Sequence, residues 1–333
     1  MLSTSDAFTR RLHEYMQNVL NMGEGELWRT LLALSISGQH VRPSLLCHLT
    51  DLDPIPDGVI RDAAAIELLH TSTLIHDDII DGASLRRGIP TIQTLFDDRA
   101  TGEAVALLAG NLVKDAAIGV ATERSRHLIN QASIDINLGQ LWETESREQP
   151  FLSLRDSLRI SLYKAGRIFR CIVKIAGHYN GSDRLFGRVR SIAVAAELVA
   201  LTYQAVDDWL DTVNVEMQTK KSSGLDEANN VHSFMRAKWS LTYNDPNDQF
   251  VLARKGEPTD AIELALEMLR GLHVPYGTLE ETTPTASGKL LANWCKDVEC
   301  FVTHHREIDD HSASVLVNLL QANAARISLV AAS

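Results

Sequence analysis

Two short segments carry residues whose types and spacing could do chemistry: Ile75-His76-Asp77-Asp78-Ile79-Ile80-Asp81 and Tyr203-Gln204-Ala205-Val206-Asp207-Asp208-Trp209-Leu210-Asp211. Each contains Asp-Asp-x-x-Asp. On a helix the first and last Asp stand one turn apart on the same face, so each segment aims two carboxylates at one spot. Like charges at that spacing repel, and a cation is the natural compensation. Mg²⁺ fits in particular, because it is commonly held by one or two carboxylates together with phosphate oxygens of a substrate. A single motif of this kind could be a solvated acidic face. Two copies, each set in strongly apolar sequence, are hard to read that way, since burying carboxylates without a partner is costly. The metal-ligand set expected from the pattern is Asp77, Asp78, Asp81, Asp207, Asp208 and Asp211.

Cationic side chains stand near these clusters. Leu85-Arg86-Arg87-Gly88 offers adjacent guanidinium groups, each able to fork onto a phosphate. Arg42 before Pro43, Lys164 in Tyr163-Lys164-Ala165-Gly166, and Lys221 beyond the second cluster are further candidates. The chain as a whole has 43 acidic and 32 basic side chains in 333 residues, a net charge of −11. With that surplus of acid and no basic block, nucleic acid is not an expected partner. No basic segment followed by an apolar run opens the chain and no long uncharged apolar stretch occurs, so neither secretion nor a membrane span is expected. Cys47, Cys171, Cys295 and Cys300 form no disulfide or zinc pattern and read as reduced thiols of a cytoplasmic protein.

The elements that must position these groups read as helices. No proline lies between Pro90 and Pro150 or between Pro150 and Pro246, which suits long helices because an interior proline costs about 3 kcal/mol. Stretches 63–80 and 192–210 read as largely buried helices. Asn180-Gly181 and Asp81-Gly82 fall between helical stretches, and hairpins are not indicated. The expected class is all-α. Without a linker or an internal repeat, residues 1–333 are expected to form a single domain.

The motifs together resemble the all-helical trans-isoprenyl diphosphate synthase, or polyprenyl synthetase, family. Glu67-Leu68-Leu69-His70 precedes the first cluster and Arg86-Arg87-Gly88 follows it; Tyr203-Gln204 opens the second, where the family usually has Phe-Gln. Lys221-Ser222-Ser223-Gly224-Leu225-Asp226 matches Lys-x-x-Gly-x-Asp, and Gly139-Gln140 and Lys164 stand where a Gly-Gln pair and a Lys-Thr pair are expected. The resemblance runs from about Gly38 to Asp226. It implies a single large helical bundle of the isoprenoid synthase type around a central cavity. It also implies about three Mg²⁺ ions bound by the aspartate clusters and an allylic prenyl diphosphate, ionisation to an allylic cation, and attack on it by isopentenyl diphosphate. Carried over by position, Asp77, Asp81 and Asp207 ligate Mg²⁺, supported by Asp78 and Asp211. Arg86, Lys164 and Lys221 hold the allylic diphosphate; Arg42, His70 and Arg87 hold isopentenyl diphosphate; Gln204 lies beside the reacting carbons.

The chain departs from the family pattern at the acceptor side. Gly-Lys-Arg-x-Arg-Pro appears as Gly38-Gln39-His40-Val41-Arg42-Pro43, a later lysine is Val231, and a Gly-Asp pair is Gly110-Asn111. A neutral amide at Gln39 donates a hydrogen bond but supplies no charge, and losing one charge-assisted contact costs about 1.5 to 3 kcal/mol. Four readings therefore stand side by side: addition of isopentenyl diphosphate with His40 or Gln39 as partial substitutes, prenyl transfer to another acceptor, a class I terpene cyclase, and a noncatalytic subunit of a heteromeric synthase.

Family members measure product length with side chains four and five residues before the first Asp, here Thr73 and Ser72. Both are small, which implies a product of C20 or longer; the alternative is that they merely permit close helix packing. The resemblance further implies a homodimer. His76 reads as a packing or supporting residue, and histidines other than His70 and His40 receive no function.

Overall fold

Ser5 opens the first helix by capping it: its hydroxyl accepts a hydrogen bond from the Phe8 N–H at 3.2 Å, satisfying a donor that has no partner inside the helix. Helix α1 (Asp6–Leu20) then buries Phe8, Leu12, Met16 and Leu20, four residues apart along one face. The computed structural model describes residues 2, 4–149, 152–181, 186–212, 260–272 and 284–331. Along them follow α2 (Glu26–Ile36), α3 (Val41–Thr50), α4 (Asp57–Asp81), α5 (Arg99–Val120), α6 (Glu123–Ser146), α7 (Leu154–Ser161), α8 (Arg167–Tyr179), α9 (Phe186–Thr212), α10 (Asp260–Gly271), α11 (Pro284–His304) and α12 (Asp310–Ala331). The fold is all-α, and the two stretches read as buried helices lie within α4 and α9.

One expectation needs correcting. A small hairpin does form, with β1 (Leu85–Arg86) antiparallel to β2 (Ile89–Pro90) and Leu85 opposite Pro90. Its two turn residues, Arg87 and Gly88, both have positive φ, 55° and 77°, the backbone that matches the twist of a two-residue hairpin. The usual Asn-Gly or Asp-Gly signal is replaced by Arg-Gly, and the strands are two residues long, so alternation had no room to show.

The described chain divides into two compact units. The first holds α1 to α5, α6 through Ile134 and α8 from Cys171. Its core is built on α4, where Ala63, Ala64, Ala65, Ile66, Leu68 and Leu69 are fully buried and against which α1, α3 and α5 pack. The buried Asp62 on this helix accepts hydrogen bonds from the Thr122 N–H, the Thr122 and Ser125 hydroxyls and the Tyr179 phenol, at 2.6 to 2.9 Å. Four donors offset the desolvation of one carboxylate. Gly82 ends α4 in the left-handed region at φ 67°, its N–H returning to the Asp78 and Ile79 carbonyls. That stop places Asp77, Asp78 and Asp81 in the last turn.

The second unit holds α6 from Asp135, α7, α8 through Arg170, α9 from Gly187 and α10 to α12. A five-residue π-helical segment, Leu162–Gly166, joins α7 to α8 and carries Lys164. Glu197 of α9 is fully buried and accepts hydrogen bonds from Arg167 and Arg170. Farther along α9, Tyr203 donates to the Leu319 carbonyl at 3.1 Å and Trp209 to the Ser287 hydroxyl at 3.0 Å, fixing the helix against α12 and α11. By length and composition Arg188–Leu210 could cross a membrane, but 72% of its apolar window is buried in the protein, as a core helix requires.

Candidate active site

In the first unit the aspartates at the end of α4 divide by burial. Asp78 is 1% exposed, and its Oδ1 accepts from Arg86 Nε at 2.8 Å and Nη2 at 2.6 Å. Asp77 and Asp81, one turn apart, are half-buried, and Arg86 Nη2 lies 3.6 Å from Asp77 Oδ2. Asp78, expected as a supporting ligand, thus holds Arg86 across the face that Asp77 and Asp81 present. Burial works against the Arg86 charge, yet the hydrogen bond and charge of Asp78 outweigh it and hold the guanidinium above its usual value.

A second group in this unit comprises Arg42, Arg87 and, between their charges, His70. Burial first, then the charges of Arg42, Arg87 and Arg86, hold the His70 imidazole well below its ordinary value, so it is a neutral hydrogen-bonding group. Burial also lowers Arg87, opposed by the charge of Glu67. A Cβ on Gly38 would meet Glu67 Oε1 at 2.9 Å and Arg87 Nη1 at 3.0 Å, so glycine lets both groups lie against the backbone. Gln39 is exposed. His40 Nδ1 lies 3.0 Å from Glu67 Oε1 and His40 Nε2 lies 2.8 Å from His13 Nε2.

On the preceding turns of α4, Ser72 is buried and Thr73 half-buried, their hydroxyls bonding back to the Leu69 and His70 carbonyls at 2.7 Å. His76 packs against Gly110, where a Cβ would come within 2.3 Å of its ring. The packing role read for His76 agrees with that contact, which also requires glycine in Gly110-Asn111.

In the second unit, Asp208 is 6% exposed and accepts a hydrogen bond from Gln204 Nε2 at 2.8 Å. As in the first cluster, the middle aspartate is buried and tied to a neighbour. Asp207 is exposed and pairs closely with Arg326 of α12, whose guanidinium also lies over the Tyr203 ring at 5.9 Å. Lys164 Nζ lies 2.5 Å from Glu143 Oε2, which also accepts from Gln140 Nε2 at 3.1 Å. Gly139 is required here, since a Cβ would meet the Lys164 backbone nitrogen at 2.8 Å.

Lys221, Asp226 and Val231 lie outside the described residues, as does the side chain of Asp211. Sequence reasoning missed Glu143, Arg326 and His13. The one local signal for Glu143 is its place one turn after Gly139-Gln140; its partner Lys164 is 21 residues away. Nothing in the local pattern marks Arg326 or His13.

Among the described residues no three His, Cys, Asp or Glu side chains gather closely enough to hold a metal by themselves. The donors of Asp77 and Asp81 nevertheless suit Mg²⁺, which needs one or two carboxylates when a phosphate completes its shell.

A sequence-family profile described as polyprenyl synthetase matches residues 12–268. Nonaprenyl diphosphate synthase of Mycobacterium tuberculosis is 24% identical over 269 residues, 78% of this chain and 78% of that protein. Farnesyl diphosphate synthase of Geobacillus stearothermophilus is 31% identical over 216 residues, 60% of this chain and 70% of that protein. The polyprenyl synthase of Caulobacter crescentus CB15, crystallised with calcium and isoprenyl diphosphate, shares the fold with a TM-score of 0.69 at 19% identity, covering 96% of this chain and 94% of that one.

Proposed function

The chain belongs to the polyprenyl synthetase family and is a prenyltransferase, and from that premise we propose that it ionises an allylic prenyl diphosphate and adds isopentenyl diphosphate to give a prenyl diphosphate of C20 or longer. The observation that carries this reading is the last turn of α4: Asp77 and Asp81 share one face while Asp78, buried, holds Arg86 beside them. Carboxylates for a divalent ion and a guanidinium for a phosphate stand together, which is what a departing diphosphate needs.

Asp77, Asp81 and Asp207 are the proposed ligands, supported by Asp78, Asp208 and Asp211. Bound there, about three Mg²⁺ ions would supply charge neutralisation for the leaving diphosphate. The Caulobacter crescentus polyprenyl synthase, complexed with calcium and isoprenyl diphosphate, supports a divalent ion and such a substrate. Arg86, Lys164 and Lys221 orient the allylic diphosphate. Arg42, Arg87 and neutral His70 bind the acceptor diphosphate, and Gln204 lines the reacting carbons. Small side chains at Ser72 and Thr73 support the longer product. The exposed apolar stripe Leu107, Leu108 and Leu112 on α5 supports a homodimer, and the family match through segments of both units supports a single functional domain. A cytoplasmic location accompanies this reading.

The test is a purified-protein assay with Mg²⁺, a series of allylic diphosphates and labelled isopentenyl diphosphate. The expected result is label in longer prenyl diphosphates, abolished by a chelator and restored by Mg²⁺. Hydrocarbon or alcohol made without isopentenyl diphosphate would overturn the reading in favour of cyclisation. Activity that appears only with a second, different chain would assign the protein to a heteromeric synthase.

A further inference from the structure

The first unit contains a chain of three titratable groups, one of them the His40 that stands at the acceptor side. His13 of α1 and His40, just before α3, meet edge to face with ring centroids 5.0 Å apart and their Nε2 atoms 2.8 Å apart. Two imidazole nitrogens at that distance share one proton. On the other side of the ring, His40 Nδ1 lies 3.0 Å from Glu67 Oε1. An ionised carboxylate only accepts, so Nδ1 carries the hydrogen of that bond. When the pair is neutral, His13 donates to His40; when it is charged, His40 donates to both partners. A second proton would set two N–H groups head to head, so the contact holds at most one positive charge.

Glu67 is the group that this charge answers. It is 3% exposed, and its Oε2 is buried with no hydrogen-bond partner among the described residues. Through Gly38, which lacks the Cβ that would keep them from the backbone, the carboxylate and Arg87 share one small space. His40 is faced by His13 from α1 and Glu67 from α4; Glu67 in turn acts on Arg87 from the hairpin turn, and Arg42 of α3 and Arg87 both act on His70 of α4. With the imidazole pair neutral, the negative charge of Glu67 offsets one arginine. With the pair protonated, Glu67 is answered by His40, and less of its negative charge is left to offset Arg87 when an anion arrives.

We propose that His13, His40 and Glu67 form a proton-holding chain that sets the charge of the diphosphate subsite at Arg42 and Arg87, so that this subsite holds a diphosphate more tightly when the imidazole pair is protonated. The inference rests on the acceptor role proposed above for those arginines. It gives a reason for Gln39-His40 where the family has Lys-Arg: a fixed pair of cations is replaced by an amide and a titratable charge. His40 also keeps a left-handed backbone, φ 48°, a costly conformation for a residue with a Cβ. Burial, then the facing His40, hold His13 below its ordinary value.

The experiment measures KM for isopentenyl diphosphate and for the allylic diphosphate from about pH 5.5 to 8.5, spanning the imidazole range, in the wild type and in His40→Arg. The expected result is an acceptor KM that rises about tenfold with pH in the wild type relative to His40→Arg, the effect of one charge at close range. The allylic KM should follow the same course in both proteins. Equal acceptor profiles in the two proteins, with turnover intact, would overturn the proton chain and leave the acceptor reading standing. Absence of isopentenyl diphosphate use at every pH would overturn both. If His40→Arg loses its helical circular dichroism, His40→Gln decides: it should show the wild-type high-pH KM at all pH values, and a retained rise with pH would refute the proposal.

Discussion

Lys164 Nζ and Glu143 Oε2 lie 2.5 Å apart, so a lysine proposed to hold diphosphate is already held by a carboxylate on α6. Both side chains are mostly buried, 21% and 14% exposed, and Gly139 brings α6 close enough for the pair to form. Glu143 therefore positions Lys164 and limits how far its charge reaches. Glu143→Ala should lower kcat/KM for the allylic diphosphate about tenfold to a hundredfold, the loss of about 1.5 to 3 kcal/mol of charge-assisted bonding. Lys164→Ala should lose at least as much, and the double variant no more than Lys164→Ala alone, since the two act as one unit. Additive losses in steady-state kinetics would show that Glu143 acts separately.

The unequal burial of Asp77 and Asp78 predicts different consequences for the same substitution. Asp78→Asn removes the charge from a buried pair with Arg86 and should cost about 3 kcal/mol of stability, read by urea unfolding. Asp77→Asn leaves that pair intact; it should barely move the unfolding midpoint while reducing turnover at least about a hundredfold, as loss of electrostatic stabilisation at a leaving group does. Similar stabilities for the two variants would contradict the division of labour within the motif.

How far the sequence foretold this arrangement depends on how local each feature is. The aspartate clusters were legible because i and i+4 spacing is fixed by helix geometry, whereas the Gly82 cap that stops α4 just after Asp81 is a finding of the fold. The buried character of α4 and α9 followed from their apolar runs. Pairings between distant turns left no periodic trace. Asp207 and Arg326 are 119 residues apart and His13 and His40 are 27 apart, so only the folded chain shows them as partners. The Arg87-Gly88 hairpin was missed for a different reason: its turn places arginine in a left-handed conformation that sequence patterns assign to asparagine or glycine.

Ser72 offers a direct test of product length. Its side chain is buried and bonded to its own helix at the Leu69 carbonyl, so a larger group must displace something. Ser72→Phe should shorten the prenyl diphosphate, read by chromatography of the dephosphorylated product, at a stability cost of about 1 to 3 kcal/mol for overpacking. Thr73→Phe, starting from a half-buried side chain, should shorten the product at lower cost. Unchanged length in both variants, with turnover retained, would place the floor of the chain-binding space elsewhere.

Asp62 should prove to be a principal polar anchor of the first unit. It binds the start of α6 through Thr122 and Ser125 and the end of α8 through Tyr179, so Asp62→Ala strands several buried donors and should cost about 3 to 5 kcal/mol. Tyr179→Phe removes one bond and should cost about 1 kcal/mol near neutral pH. The two effects can be separated by pH. Burial, then the charge of Asp62, push the Tyr179 phenol well above its ordinary value near 10. Because the folded value is raised, the folded state keeps a proton that the unfolded chain releases above about pH 10. The wild type's advantage over Tyr179→Phe should therefore be complete below that pH and shrink as the pH rises beyond it. A constant gap between the two unfolding curves from about pH 8 to 11 would show that Asp62 does not hold the phenol in its protonated form.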